Sequence, residues 1–220
     1  MSGTLRTRDE RVAAATRRGR GRPKAASDDE QRRLLAQTAW RLFVEKGYGG
    51  TTMQDVAAAC RMSKRTVYRL FPGKTELFAA VVTLHRTTMI ALPGDYDDLP
   101  LEEALARIFL IDADPALDEA RTGLMAVFMA ESRRFPELLP LVHAFGGEPS
   151  RRLLRDWLER QAARSKISLP DADIAARMLM DVVFGAVPLK DENGPPWSGG
   201  PDRPAHLRAC FAMIVQGLRR

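Results

Sequence analysis

The chain contains few of the residues from which metal centres and nucleophilic sites are usually built. Its 220 residues include two cysteines and three histidines, and all five are scattered. Cys60 and Cys210 form no Cys-x-x-Cys pair, and His85, His143 and His206 have no His-Glu-x-x-His spacing around them. We therefore expect buried free thiols and structural histidines, with no disulfide framework, metal site or cofactor.

Long apolar runs are also missing from the sequence. No run approaches the roughly 18 to 20 residues that a membrane span needs, and the arginine-rich first residues lack the apolar stretch of a secretory signal. Hydrophobic residues make up 45% of the chain but aromatic residues only 7%, which is typical of a helix-rich globular protein. We expect a cytoplasmic protein with a real core and no membrane partner.

The positive charge of the chain is concentrated near its start. Residues 1–80 contain 17 Lys or Arg and 8 Asp or Glu, which gives +9, whereas residues 81–220 contain 17 and 20, which gives −3. The two parts sum to the formal net charge of +6. Because no basic helix with a bulky apolar face accompanies the excess, the pattern favours a nucleic-acid partner over a membrane surface.

The first residues predict a basic arm followed by a helix. Residues 1–27 include TRRGRGRPKAAS and few apolar side chains, so we expect them to be disordered. Ser27 and Glu30 have the spacing of a capping box, and apolar residues then recur at helical spacing until Gly47. The first helix is therefore predicted over about residues 28–46.

The next segment, YGGTTMQDVAAACRMSKRTVYRLF, predicts two short helices separated by a tight turn. Thr51 or Thr52 is expected to cap the first helix, with Gln54 completing a capping box three residues after Thr51. Ser63 is expected to cap a second helix over about residues 64–70, which Pro72-Gly73 ends.

The second short helix is predicted to have one buried and one exposed face. Val67 and Phe71 lie four residues apart and are expected to face the core. The outward residues would then be Lys64, Arg65, Tyr68 and Arg69. This is the arrangement of a helix-turn-helix, in which the first helix braces a second that offers its first turn to the major groove.

The run from Leu34 to Val82 resembles the tetracycline-repressor (TetR) family of bacterial transcriptional regulators, over about a quarter of the chain. The resemblance is carried by LFVEKGY, by the Thr-Thr start of TTMQDVAAAC, by TVYRLF and by the lysine of FPGKTELF. The later segment FMAESRRFPELLPLVHAF resembles a C-terminal domain found in AefR-like members.

The resemblance implies a role for each exposed residue of the motif. Thr52, Gln54 and Lys74 are expected to contact phosphates, as is the Tyr68 hydroxyl. The first turn of the second helix is expected to reach base edges. Ser63 has the alternative of being only a cap, and Arg69 of being a solvent-facing residue. The full set of predicted DNA-binding residues is Thr52, Gln54, Ser63, Lys64, Arg65, Thr66, Tyr68, Arg69 and Lys74.

The arm has two interpretations. Its RGRGRPK segment, with Arg20, Arg22 and Lys24, resembles an AT-hook that lies in an A·T-rich minor groove. Alternatively, these cations raise affinity through counterion release without reading any sequence. Deleting the arm is expected to weaken DNA binding and flatten its salt dependence in either case.

From about residue 100 the sequence predicts one helix after another and no strand. The predicted helices are Pro100–Ala113, Thr122–Phe135, Glu148–Lys166, Asp171–Val187 and Arg203–Arg219. The expected fold is all-α, with an arm (1–27), a three-helix DNA-binding domain (28–75) and a helical ligand-binding and dimerisation domain (76–220).

Two surfaces of the C-terminal region lack an obvious partner in the sequence. The last two helices are apolar nearly all round in places; the resemblance implies a four-helix homodimer interface, and the alternative is that they fill the monomer core. Other side chains are expected to line a cavity for a small apolar or amphipathic effector, although plain core is the alternative. The predicted pocket residues are Met125, Phe128, Met129, Phe145, Trp157, Met178 and Phe184.

The function expected from these features is that of a homodimeric, sequence-specific DNA-binding regulator, a repressor that an effector releases from a palindromic operator. The alternative is a ligand-independent architectural DNA-binding protein of the nucleoid. An enzyme would have to use acid pairs such as Asp171 and Asp173 or Glu102 and Glu103. Acids at helix starts are expected from the helix dipole alone, so we do not expect an enzyme.

Overall fold

The structure is a computed structural model that describes residues 27–164, 167–185 and 203–218. Within these ranges the regular elements are helices, as the sequence predicted, and none of them is long and apolar enough to cross a bilayer. The α-helices are α1 (Asp28–Gly50), α2 (Met53–Ala59), α3 (Lys64–Leu70), α4 (Lys74–Met89), α5 (Leu101–Ile108), α6 (Pro115–Arg134), α7 (Leu138–Val142), α8 (Glu148–Ala163), α9 (Ala172–Gly185) and α10 (Arg203–Leu218). A π-helical turn, His143–Gly147, joins α7 to α8.

Helix α1 begins where the sequence predicted and ends later. Ser27 Oγ accepts the Glu30 amide at 3.2 Å and Glu30 Oε2 accepts the Ser27 amide at 2.7 Å, which confirms the capping box. The predicted interruption at Gly47 is confirmed as a kink, since Gly47 has φ 74° and ψ 162°, a conformation that favours glycine, and α1 continues beyond it to Gly50. The buried Thr51 hydroxyl donates to the Gly47 carbonyl at 2.9 Å and so holds the chain beyond the kink.

Helices of the C-terminal region differ from their predicted limits for local reasons. The helix predicted over 100–113 stops at Ile108, because Leu110 takes a left-handed φ of 54°. Helix α6 starts well before the predicted residue 122, since Asp114 Oδ1 accepts the Ala116 amide at 2.8 Å and caps it. Helix α7 was not predicted at all.

Two hydrophobic cores hold the helices together. The first lies between α1–α4, α6 and α7, and its buried residues include Leu35, Phe43, Val67, Phe78, Leu124, Phe128 and Leu138. The second lies mainly between α5, α8, α9 and α10, and its buried residues include Leu105, Phe109, Trp157, Leu179 and Phe211. Because α6 and α7 complete the first core, packing continues across the predicted domain boundary at residue 75. The division into a DNA-binding and a regulatory domain stays a prediction.

A buried arginine on α6 binds the ends of two other helices. Arg121 on α6 is 5% exposed, and its guanidinium donates to the carbonyls of Met89 (3.2 Å), Phe109 (3.0 Å) and Leu110 (3.0 Å). These carbonyls lie at the ends of α4 and α5, where helical partners are lacking. Burial lowers the pKa of Arg121, and the nearby Asp118 carboxylate opposes this shift. The start of α6 is thereby tied to the end of α4.

Candidate DNA-binding site

The first short helix, α2, is capped by Thr52, which was one of the two predicted caps. Thr52 Oγ1 accepts the Asp55 amide at 3.1 Å, and Asp55 Oδ2 accepts the Thr52 amide at 2.8 Å. Thr52 and Asp55 therefore form the capping box, and the predicted pair of Thr51 and Gln54 is wrong. Thr51 is excluded as the cap because its side chain is fully buried beneath α1. The hydrogen bonds to Thr52 lower the pKa of Asp55.

A tight turn then reverses the chain between α2 and α3. Arg61 takes a left-handed φ of 54°, and the Met62 amide donates to the Ala57 carbonyl at 2.9 Å. The turn delivers Ser63 to the start of α3, where its Oγ accepts the Thr66 amide at 3.1 Å. The predicted cap and the predicted span of the second helix, residues 64–70, are both confirmed.

Helix α3 has the two faces that the sequence predicted. Val67 and Leu70 are 0% and 2% exposed and pack into the first core, as does Phe71 just after the helix. On the opposite side Lys64 and Arg65 are exposed and Tyr68 is 51% exposed. The short helix is thus held from behind by apolar packing, and its cationic side faces outward.

The cations of α3 differ in what they contact. Within the described ranges Lys64 and Arg65 make no ion pair. Arg69 instead donates two hydrogen bonds, of 2.7 and 2.8 Å, to the Asp28 carboxylate at the start of α1. These bonds lower the pKa of Asp28, and both side chains remain more than half exposed. The charges of Lys64 and Arg65 are therefore available to a ligand, whereas Arg69 is bonded to Asp28 and ties α3 to α1.

Hydroxyl groups at the starts of α2 and α3 already form hydrogen bonds within the protein. Thr52 Oγ1 lies 2.6 Å from Asp55 Oδ2 and donates to it, and the Ser63 and Thr66 hydroxyl oxygens lie 2.8 Å apart. Ser63 acts as a cap, which was one of its two predicted roles. Gln54 is exposed at the start of α2. Contacts of these residues with DNA stay predictions.

The ammonium group of Lys74 lies against carbonyl oxygens of the protein itself. Its Nζ donates to the carbonyls of Tyr48 at 2.8 Å and Thr51 at 3.0 Å, and it lies 4.2 Å from the centre of the Tyr48 ring. Burial lowers the pKa of Lys74. Lys74 thus ties the start of α4 to the end of α1, and its contact with a phosphate stays a prediction.

The predicted pocket residues lie in different parts of the described fold, and their role in a pocket stays a prediction. Phe128 packs against the Phe78 ring in the first core, with ring centres 5.4 Å apart, whereas Trp157 is fully buried in the second core. Met178 on α9 is 40% exposed, and Phe145 in the π-helical turn is 42% exposed. The remaining three, Met125, Met129 and Phe184, are partly buried on α6 and α9.

One apolar groove does reach from the C-terminal region to the end of α3. It has a volume of about 570 Å³ and lies between α1, α4 and the π-helical turn. Phe145 is the predicted pocket residue that lines it, and its other walls include Ala36, Leu70, Phe71 and Leu84. Arg32, Arg33 and Glu76 stand among the lining residues as its charged groups.

The last two helices expose apolar side chains as well as packing into the core. Ile174 on α9 is 66% exposed and Met213 on α10 is 69% exposed, whereas Leu179 and Phe211 on the same helices are buried in the second core. The core interpretation is therefore confirmed for one side of these helices, whereas the homodimer interface stays a prediction for the other. One side fills the monomer core, and the other presents apolar groups to solvent.

The remaining polar predictions concern the arm, the cysteines and the acid pairs. Arg20, Arg22 and Lys24 lie outside the described residues. Cys60 and Cys210 are free thiols but half-buried rather than buried, which corrects that detail.

Asp171 caps α9 by accepting amides of the next turn at 2.8 and 3.0 Å, as expected of an acid at a helix start. In the part of the chain that the structure describes, no three metal-ligating side chains cluster.

The fold and the α2–α3 motif define an all-α helix-turn-helix protein, and comparison with known proteins agrees. The family model for bacterial regulatory proteins of the tetR family matches residues 35–81. The model for the C-terminal domain of AefR-like transcriptional repressors matches residues 103–192. The chain therefore belongs to the TetR family, which consists of transcriptional regulators and not of enzymes.

Individual relatives share parts of this pattern. The HTH-type transcriptional activator FasR of Mycolicibacterium smegmatis is 33% identical over 92 residues, which are 41% of this chain and 40% of FasR. A TetR-family regulator from Mesorhizobium loti MAFF303099 has a TM-score of 0.64 and 21% identity, covering 89% of this chain and 100% of its own. The flavonoid-responsive regulator FrrA has a TM-score of 0.59 and 26% identity, covering 86% and 97%. The chain spans only 19% and 40% of the first two curated relatives.

Sequence reasoning missed two acidic residues that shape the site. Asp55 could have been found from the local sequence, since it stands three residues after Thr52, the spacing of a capping box. Glu131 had no local signal, because its carboxylate accepts the amide of Tyr48, which lies 83 residues earlier. Such a contact follows from the packing of α6 on α1 and not from any spacing in the sequence.

Proposed function

We propose that this protein is a homodimeric transcriptional regulator that binds a palindromic DNA site through α3. The observation that carries the proposal is the two-sided character of α3, with Val67 and Leu70 buried behind it and Lys64 and Arg65 exposed and unpaired within the described residues. An exposed, unpaired cation at the first turn of the second helix is placed as a major-groove reader requires.

In this proposal different exposed residues contact different parts of the DNA. Lys64 and Arg65 donate to guanine O6 and N7, and the Thr66 methyl contacts a thymine methyl. Tyr68, Thr52 and Gln54 are exposed, and their side chains bind phosphates of the DNA. The arm, with Arg20, Arg22 and Lys24, adds charge along the duplex or enters the minor groove.

Dimerisation is proposed to use the exposed sides of α9 and α10. Ile174, Met178 and Met213 are exposed apolar residues on these two helices, and burying them against a second copy would remove apolar surface from water. Two copies are also what a palindrome requires, because two recognition helices about 34 Å apart enter successive major-groove faces.

A small apolar or amphipathic effector is proposed to release the protein from DNA and so to relieve repression. The match to a repressor-type C-terminal domain supports repression, and the likeness to a regulator named as flavonoid-responsive supports a small-molecule effector. The apolar groove of about 570 Å³ beside Phe145 has the size of known small-molecule sites. Binding there would favour one conformation of the dimer over another.

Selection of bound sequences from random duplexes tests the DNA-binding proposal. We expect a two-fold symmetric site with half-site centres about 10 base pairs apart or a multiple of that distance. Footprinting on the selected duplex should protect one discrete segment. Smooth coverage that grows with duplex length, with no selected sequence, would instead support an architectural protein and contradict the proposal.

A further inference from the structure

Helix α6 carries two buried charged side chains, and they lie near opposite ends of it. Arg121 and Glu131 are the charged residues classed as buried among those the structure describes, at 5% and 9% exposure. Arg121 holds the end of α4 through the Met89 carbonyl. Glu131 accepts the amide of Tyr48, just after the kink of α1, and Lys74 at the start of α4 bonds to the same residue. Buried charges are costly unless they are bonded, so both contacts constrain where α6 can lie.

The contact of Glu131 is built around the kink at Gly47. Because Gly47 leaves the helical conformation, the amide of Tyr48 is free to turn toward α6, where Glu131 Oε2 accepts it at 3.0 Å. A Cβ at position 47 would lie 3.3 Å from Glu131 Oε1, so the carboxylate fits closely against the glycine. The Phe135 ring packs edge-on against the Tyr48 ring, with centres 5.2 Å apart.

The other side of the same residue connects to α2 and α4. The Tyr48 carbonyl accepts Lys74 Nζ from the start of α4 at 2.8 Å and the Thr51 amide at 3.3 Å. Thr51 in turn directly precedes Thr52, the cap of α2. One residue of α1 therefore joins α6 to the start of α2 and to the start of α4.

We propose that Glu131 is a positioning residue through which α6 sets the orientation of the helix-turn-helix. A displacement of α6 that withdraws the carboxylate leaves the Tyr48 amide without its charged acceptor and loosens the corner from which α2 starts. Conversely, DNA that holds α2 and α3 in place restrains α6 through the same hydrogen bond. The inference rests on the proposed DNA-binding function for its second test but not for its first.

The first test measures hydrogen exchange in the full chain without DNA. Glu131→Met keeps the length of the side chain and removes the acceptor, whereas Glu131→Gln keeps an oxygen acceptor for the Tyr48 amide. Losing a hydrogen bond to a charged group should lower the protection of the Tyr48 amide about 10- to 100-fold in Glu131→Met, with faster exchange in α2. Glu131→Gln should stay within about threefold of the wild type.

A matched control separates the hydrogen bond from the charge. Glu137 is exposed, and its charge acts on Lys74, so Glu137→Gln changes the local charge without removing the Tyr48 contact. It should leave the exchange of Tyr48 and α2 unchanged. Unchanged exchange in Glu131→Met, or equally faster exchange in both hydrophobic cores, would overturn the proposal. If the Met variant does not fold, Glu131→Asp, which withdraws the carboxylate by one methylene, takes its place with the same expectations.

The second test uses the selected operator duplex as the probe. Operator binding should slow exchange in the last turn of α6 of the wild type, and Glu131→Met should lose most of this effect and bind about tenfold more weakly. Equal protection of α6 in both proteins would refute the coupling. If the wild type selects no operator, the proposed function fails while the exchange result without DNA still decides the role of Glu131.

Discussion

A substitution on the buried side of α3 should lower stability and leave DNA binding nearly unchanged. A substitution on the exposed side should weaken DNA binding and leave stability nearly unchanged. Val67 is fully buried, and Val67→Ala removes two methyl groups worth about 0.8 kcal/mol each in lost burial, with a cavity term in addition. We therefore expect the free energy of unfolding to fall by about 2 to 3 kcal/mol. Arg65 is exposed and unpaired within the described residues, so Arg65→Ala should change stability by no more than about 0.5 kcal/mol.

The assay is urea unfolding of the wild type and both variants at one protein concentration, because a dimer is stabilised by mass action. The midpoint should shift in Val67→Ala without a change in the slope of free energy against urea. DNA binding, measured well below the unfolding transition, should weaken in Arg65→Ala and change little in Val67→Ala. A destabilisation above about 1 kcal/mol in Arg65→Ala, or none in Val67→Ala, would refute the assignment of the two faces.

Three further predictions concern the dimer, the arm and the half-buried His85. Met213→Glu places a charge on the exposed side of α10 and should weaken dimerisation at least about tenfold in sedimentation experiments; an unchanged dimer would place the interface elsewhere. Deleting residues 1–26 should weaken operator binding and reduce the slope of log K against log salt, and an unchanged slope would exclude contacts of the arm with phosphates. Burial lowers the pKa of His85, which packs against Trp40, so its contribution to stability is complete above the ordinary value of 6.5 and is lost as the pH falls through the folded value. The melting temperature of the wild type should therefore drop more between about pH 8 and 5.5 than that of His85→Phe, and equal drops would contradict the assignment.

Local signals in the sequence predicted most of the helix-turn-helix, although the capping box of α2 pairs Thr52 with Asp55. Ser27 and Ser63 cap their helices, and α3 has its predicted limits, because caps and short apolar spacings act within one or two turns. The outward direction of Lys64 and Arg65 followed from the burial of Val67 on the same short helix.

Contacts between distant segments could not be predicted in the same way. Lys74 carries the charge expected of a phosphate contact, but the carbonyls of Tyr48 and Thr51 become available only after Gly47 kinks α1. The placement of the predicted pocket residues could not be foreseen for a similar reason, since Phe128 and Trp157 have suitable chemistry but belong to different cores. Residue type and spacing predict the faces of a helix, whereas the partner of each face depends on tertiary packing.

The most direct test of base reading by α3 compares Lys64→Ala and Arg65→Ala on the selected operator and on single-base variants of it. We expect each substitution to cost about 1 to 3 kcal/mol on the preferred site and to relax the preference at particular bases of each half-site. An equal loss on every duplex, or no loss at all, would contradict the assignment of these two residues to base edges.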